Sequence, residues 1–170
     1  MSLFKKLLQS FNTINIVVGK AVSWLVLIMV GVVFSVVVMR YVFSTGRIWV
    51  QELVLWMHAA VFLLSAAYTL SEDSHVRVDV FFRRWSLKTQ GRINLIGSML
   101  CLCPVSLFLV FGSLDYVASS WELKEASKDA GGLVYPLIPL LKTMIPVCGS
   151  MLFFQALFIG HRSVQEIQND

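Results

Sequence analysis

Residues 47–92, RIWVQELVLWMHAAVFLLSAAYTLSEDSHVRVDVFFRRWSLKTQGR, decide the fold. An apolar run from Val50 to Leu70 is long enough to cross a bilayer, although it carries Gln51, Glu52 and His58. A polar hinge, Ser71 to His75, ends it. Beyond the hinge, Val78, Phe81, Phe82 and Trp85 recur at i, i+3, i+4 and i+7, which puts these apolar side chains on one helical face. Arg83, Arg84, Lys88 and Arg92 crowd around that face. The pattern predicts a spanning helix followed by a basic, aromatic helix, over about 78–90, lying along the membrane surface.

Outward from this stretch, long apolar segments alternate with clustered charge. The chain is 57% hydrophobic and 14% charged, with a mean hydropathy of +0.75. That leaves too little polar surface for a water-covered globule. The expectation is an all-α integral membrane protein, one domain over residues 1–170, with spans at about 14–39, 49–70, 93–118 and 140–159. A net charge of +4 would also suit a nucleic-acid binder. The basic residues flank the spans and form no single soluble patch, which excludes that class. Cys101, Cys103 and Cys148 all fall inside apolar runs and read as small lipid- or core-facing residues.

The amino-terminal MSLFKKLLQSF begins like a signal peptide. The apolar stretch after it is too long for an h-region and no small-x-small site follows, so it reads as an interfacial lead-in to a retained first span. That span ends on Arg40-Tyr41-Val42-Phe43, a cation and two aromatics at headgroup depth. The short link Ser44 to Arg47 makes spans one and two an antiparallel hairpin. Span three contains Gly97, Pro104 and Gly112; Pro104 reads as a kink, Gly97 and Gly112 as candidates for close helix contact. A polar loop, Ser119 to Gly132, leads to Pro136, Pro139 and span four, where Lys142 snorkels from the first turn and Pro146 kinks the helix. The tail from His161 reads as short and polar. Lys5, Lys6, Lys20, Arg77, Arg83, Arg84, Lys88, Arg92 and Arg162 fall on one side, against Arg40, Arg47, Lys124, Lys128 and Lys142 on the other. Both termini and the surface helix are therefore expected to be cytoplasmic.

Several polar residues invite a role. Glu52, in the first turn of span two, lies at the same boundary as Arg40; a carboxylate there is favoured by the helix dipole and an Arg partner offsets its desolvation. The pair reads either as a hairpin lock or partner contact, or as a proton or ion relay. His58 is the one histidine inside a span. A bis-histidine haem needs a second at similar depth, so His58 reads as a hydrogen-bonded packing or interface residue. Asp73 to Asp79 precedes the surface helix, with Asp79 and Arg83 placed to pair at i, i+4. Arg83, Arg84 and Lys88 read as phospholipid headgroup contacts or as simple topology-setting charge, two compatible roles, with Phe81, Phe82 and Trp85 seated in the interface. Trp121 and Glu125 belong to the sizeable outer loop, which reads as a partner contact or a solvated connector, and Gly131-Gly132 suits a turn. No nucleophile–base pair, phosphate loop or metal-ligand cluster stands out in the sequence, so neither catalysis nor a cofactor is expected.

Arg40-Tyr41-Val42-Phe43, Trp49-x-x-Glu52, His75-Val76-Arg77-Val78-Asp79, Glu125-x-Ser127 with Gly131-Gly132, and Lys142-x-x-x-Pro146 together resemble the small membrane subunit of tripartite ATP-independent periplasmic (TRAP) transporters, the DctQ-like family. The similarity runs from about residue 15 to 160, with Gln51 standing where a second acid would be expected. The resemblance implies a multi-pass bacterial inner-membrane protein that acts as a scaffold. Its implied partners are a large, DctM-like membrane subunit, which carries the substrate and sodium sites, and a periplasmic substrate-binding protein. Organic anions such as carboxylates are the implied substrates. Two other classes compete: a small four-span exporter acting as a homo-oligomer, which needs an essential acid deep in a span, and a membrane oxidoreductase subunit.

Overall fold

A computed structural model describes residues 3–72 and 85–168, and the regular structure among them is helical. Helix α1 is Leu3–Tyr41 and α2 is Ile48–Ser71; α3 is Leu87–Ile96, continued by a π-helical segment Gly97–Leu102 into α4, Cys103–Glu122; α5 is Leu137–Gln168. Four stretches are long and apolar enough to cross a membrane: Lys6–Tyr41, Ile48–Ser71, Lys88–Glu122 and Leu137–Gln165. The all-α, four-span expectation therefore holds, and span two begins and ends within a residue of its expected limits.

The other boundaries move outward for local reasons. The amino-terminal lead-in is continuous with span one, because no Gly or Pro stops the helix and the hydroxyls of Ser10 and Thr13 donate back to the carbonyls of Lys6 and Gln9, both at 3.0 Å. The expected surface helix cannot reach residue 90. Ser86 is extended (φ −60°, ψ 153°) and caps a helix that starts at Leu87, so Lys88 belongs to the span-three helix. Residues 78–84, which carry most of that expected helix, lie outside the described residues. The carboxy-terminal tail is not a loose polar end but the last turns of α5, where Ser163 is buried at Gly91.

Helix α5 is the hub. It packs on α1, α2, α3, the π segment and α4, while α1 and α2 pack on each other as a hairpin. The seam between α5 and the α3–α4 helix is lined by small residues. Gly91, Ser98, Ser106, Ser113 and Ser120 are all buried there, as are Gly149, Ala156, Gly160 and Ser163 on α5. The α3–α4 row advances by sevens except between Ser98 and Ser106, where one extra residue intervenes. The π segment over Gly97–Leu102 takes up that residue, so both halves present the same face to α5. A Cβ on Gly149 would come to 3.0 Å from the Ser106 carbonyl, which is how closely the backbones approach. The glycines expected at helix contacts are not the ones used. Gly97 faces open space, and a Cβ on Gly112 would meet only Phe108 of its own helix. In the α1–α2 hairpin, Gly19 makes room for the Tyr68 ring.

Toward the termini, α1 is tied to α5 by side-chain amides. Asn15 Nδ2 donates to Gln155 Oε1 at 2.9 Å, and Gln155 Nε2 donates to Asn12 Oδ1 at 3.0 Å. Asn15 and Gln155 are 2% and 1% exposed, so each is satisfied by the other and not by water. The Phe11 and Phe154 rings stack beside them, 4.0 Å between centroids.

Candidate functional site

At the opposite end, the loop between α4 and α5 is held down by two carboxylates. Arg47 is extended (φ −119°, ψ 119°) and turns the chain into α2, which sets Glu52 in the first turns facing the loop. Ser127 Oγ donates to Glu52 Oε1 at 2.5 Å, and the Leu133 N–H donates to Oε2 at 2.6 Å. The Ser127 N–H also donates to the Leu133 carbonyl at 2.8 Å. One acid thus receives both ends of a closed turn. Gly132 has no space for a side chain, since a Cβ would lie 2.6 Å from Glu52 Oε2, and Gly131 adopts φ +79°. Its carbonyl accepts from the Trp49 N–H at 3.2 Å, a second tie to α2.

Glu125 binds the other side of the loop. Its Oε2 accepts from Ser120 Oγ at 2.6 Å and forms an ion pair with the Lys142 ammonium of α5. Lys142 also lies over the Tyr116 ring, 3.9 Å from its centroid. The hydrogen bond from Lys142, helped by that from Ser120, holds the Glu125 carboxyl below the usual carboxylate range. Trp121 Nε1 donates to Thr143 Oγ1 at 2.9 Å, with Tyr135 edge-on at 6.1 Å. Trp56 Nε1 of α2 donates to the Leu137 carbonyl at 2.8 Å, fixing where α5 begins.

Trp121, Glu125 and Glu52 therefore meet in one cluster around the loop. Arg40 does not join it. Among the described residues no ion pair links Arg40 to Glu52, because the carboxylate is filled by Ser127 and Leu133; Arg40 instead lines a shallow cleft with Ser44, Thr45, Gly46, Ile48 and Gln51. His58 is not packed inside the bundle either: it is exposed on α2 and makes no hydrogen bond among the described residues. Lys88 is exposed at the start of α3, and Trp85 is 45% exposed with its carbonyl accepting from Gln90. Phe81, Phe82, Arg83 and Arg84, and the Asp79–Arg83 pair, lie outside the described residues. Sequence reasoning missed Ser127, Ser120, Thr143 and Trp56 as partners, and it missed Asn15 with Gln155. Ser127 stood in the Glu125-x-Ser127 motif; for the others the signal was a polar atom within or beside an apolar run.

What this cluster does chemically is grip. Its acids and its ammonium are each engaged by other groups of the same chain, and in doing so they fasten α2, α4 and α5 together. The fold and site thus define a four-span membrane protein whose loop end is clamped by its own charges.

Residues 29–166 match the family model described as "Tripartite ATP-independent periplasmic transporters, DctQ component". The match covers most of the chain, and the chain belongs to that family, whose members are inner-membrane transport components and not enzymes. The "C4-dicarboxylate TRAP transporter small permease protein DctQ" of Vibrio cholerae serotype O1 is 29% identical over 83 residues, 49% of this chain and 35% of that protein. The aligned stretch thus spans about a third of the length of the curated relative. No solved structure matches.

Proposed function

We propose that this chain is the small scaffold subunit of a sodium-coupled TRAP transporter for an organic anion, a C4-dicarboxylate by analogy with its relative. In this reading it braces a large permease subunit and does not itself bind substrate. A periplasmic binding protein delivers the solute to that large subunit. Both termini face the cytoplasm, as the distribution of Lys and Arg favours. Phe81, Phe82, Arg83, Arg84, Trp85 and Lys88 seat the chain among phospholipid headgroups.

The observation that carries the reading is the internal use of polar groups. Glu52 and Glu125 hold a loop, and Asn12, Asn15 and Gln155 hold one another. Transport sites in secondary carriers are built instead from broken helices whose free ends meet a ligand at mid-membrane. The π segment within the span-three helix is no such break, since it continues helically into α4 and shares the seam with α5.

Reconstitution tests this. Vesicles holding the chain alone are expected to accumulate no organic anion. Vesicles that also hold the large subunit, supplied with binding protein and an inward sodium gradient, are expected to accumulate a C4-dicarboxylate. Accumulation by the chain alone would sink the scaffold and favour the exporter. Replacing Phe81, Phe82 and Trp85 together by Ser is expected to loosen association with the large subunit, read by co-purification in mild detergent.

A further inference from the structure

We propose that the exposed face of α2, running through Gln51, Leu55, His58 and Phe62, docks a transmembrane helix of the large subunit. In that interface a polar side chain of the docked helix completes the hydrogen bonding of the His58 imidazole. The proposal rests on the scaffold reading above and specifies which surface performs it.

These residues are spaced i, i+4, i+7 and i+11, so they form one continuous stripe, and all are exposed. Phe62 is 71% exposed at its far end. His58 falls near the middle of the helix, about 15 Å from its start at 1.5 Å per residue. Lipid tails offer an imidazole no partner there, and intramembrane ionisable groups face protein or water.

Hydroxyls on another outward face are answered within their own helix. On α1, Ser23 and Ser35 donate to the carbonyls of Gly19 and Gly31, both at 2.8 Å, so those hydroxyls are satisfied by their own helix. The outward face of α4 carries the apolar Val105, Phe108 and Phe111, with Asp115 exposed further along it. The His58 ring on the α2 stripe is too rigid and too far from its own backbone to be satisfied by it. The stripe also continues upward into the cleft where Gln51 adjoins Arg40, whose guanidinium has no partner among the described residues. Polar features at two depths on one helix face match a protein neighbour and not a lipid chain.

The test places a photocrosslinking phenylalanine analogue at Leu55 or Phe62, with Trp24 on α1 and Phe108 on α4 as controls, in membranes that contain both subunits. These side chains already point outward, so the replacements leave the fold undisturbed. Adducts with the large subunit are expected from Leu55 and Phe62 and not from the controls. His58→Leu is expected to lower the yield of co-purified large subunit at least fivefold, with His58→Gln restoring most of it. Adducts from Phe108 or Trp24 alone would place the large subunit on another face and overturn the docking surface while leaving the scaffold reading intact. A crosslink between two copies of this chain would assign the stripe to a homodimer. Failure of the unmodified chain to co-purify with the large subunit at all would instead overturn the scaffold reading itself.

Discussion

The two ends of the bundle are fastened by different chemistry. At the loop end, the carboxylates of Glu52 and Glu125 collect donors from a loop and from α5. At the end that carries the chain termini, neutral amides of Asn12, Asn15 and Gln155 link α1 to α5 among stacked aromatic rings. A carboxylate that borders water keeps much of its hydration and still strengthens its hydrogen bonds through charge. Deeper burial makes an unpaired charge too costly, and an amide network then supplies direction without net charge. The difference teaches that each end should fail under a different insult.

The largest effect is expected at the amide end. Gln155→Leu leaves the buried Asn15 Nδ2 and the half-buried Asn12 Oδ1 without their partners and should cost about 1–3 kcal/mol, read as a lower Tm in detergent. Replacing Asn12, Asn15 and Gln155 together by Leu should recover much of that loss, since no polar group then remains unmet. Equal losses in the single and triple variants would mean the network contributes through its shape and not its hydrogen bonds.

Next comes the loop clamp. Glu52→Ala removes the acceptor for both Ser127 and Leu133, so limited proteolysis between residues 123 and 136 should accelerate about tenfold as the turn opens more often. Association with the large subunit should weaken with it. Intact assembly combined with lost ion coupling would favour the exporter over the scaffold.

Acid separates the two ends further. The Glu125 carboxyl is held low by Lys142 and Ser120. A depressed group of this kind adds stability that is complete above its unfolded pKa and lost as pH falls through the folded value. The loop should therefore stay seated from neutrality through about pH 4.3, the ordinary range for Glu, and release only below it. Trp121 fluorescence should follow this transition. The Asn12, Asn15 and Gln155 amides carry no titrating group and should not move with it. Release near neutral pH would count against the Lys142 pairing.

The smallest effect is expected from Trp121→Phe. It keeps the ring against Tyr135 and removes only the donor to Thr143, a half-exposed bond worth under about 1 kcal/mol. A loss as large as that from Gln155→Leu would show that the loop end, not the amide end, dominates stability.

Much of this molecule was legible before folding. Apolar runs of bilayer length placed four spans, and the order of Trp49-x-x-Glu52, Glu125-x-Ser127 and Lys142 pointed to the family. Several of the residues that carried that resemblance are gathered by the fold, since Glu52, Ser127, Gly132, Glu125 and Lys142 share one cluster, while Arg40 stays outside it. Helix ends were less legible. The heptad row of small residues ran from Gly91 through Ser120 with one residue too many, and only a π turn could absorb it. Arg40 was expected beside Glu52 because the link between them is short. Ser127 took that place from 75 residues away.

The number of spans and the family follow from the sequence alone, because bilayer thickness is a constraint each segment meets by itself. Which polar group answers which follows only from tertiary structure. Hydrogen bonds act over about 3 Å, and that proximity is set by how helices cross, not by distance along the chain. For the same reason His58, which in the sequence looks like any buried histidine, is seen to face outward only once α1 and α5 have taken the other sides of α2.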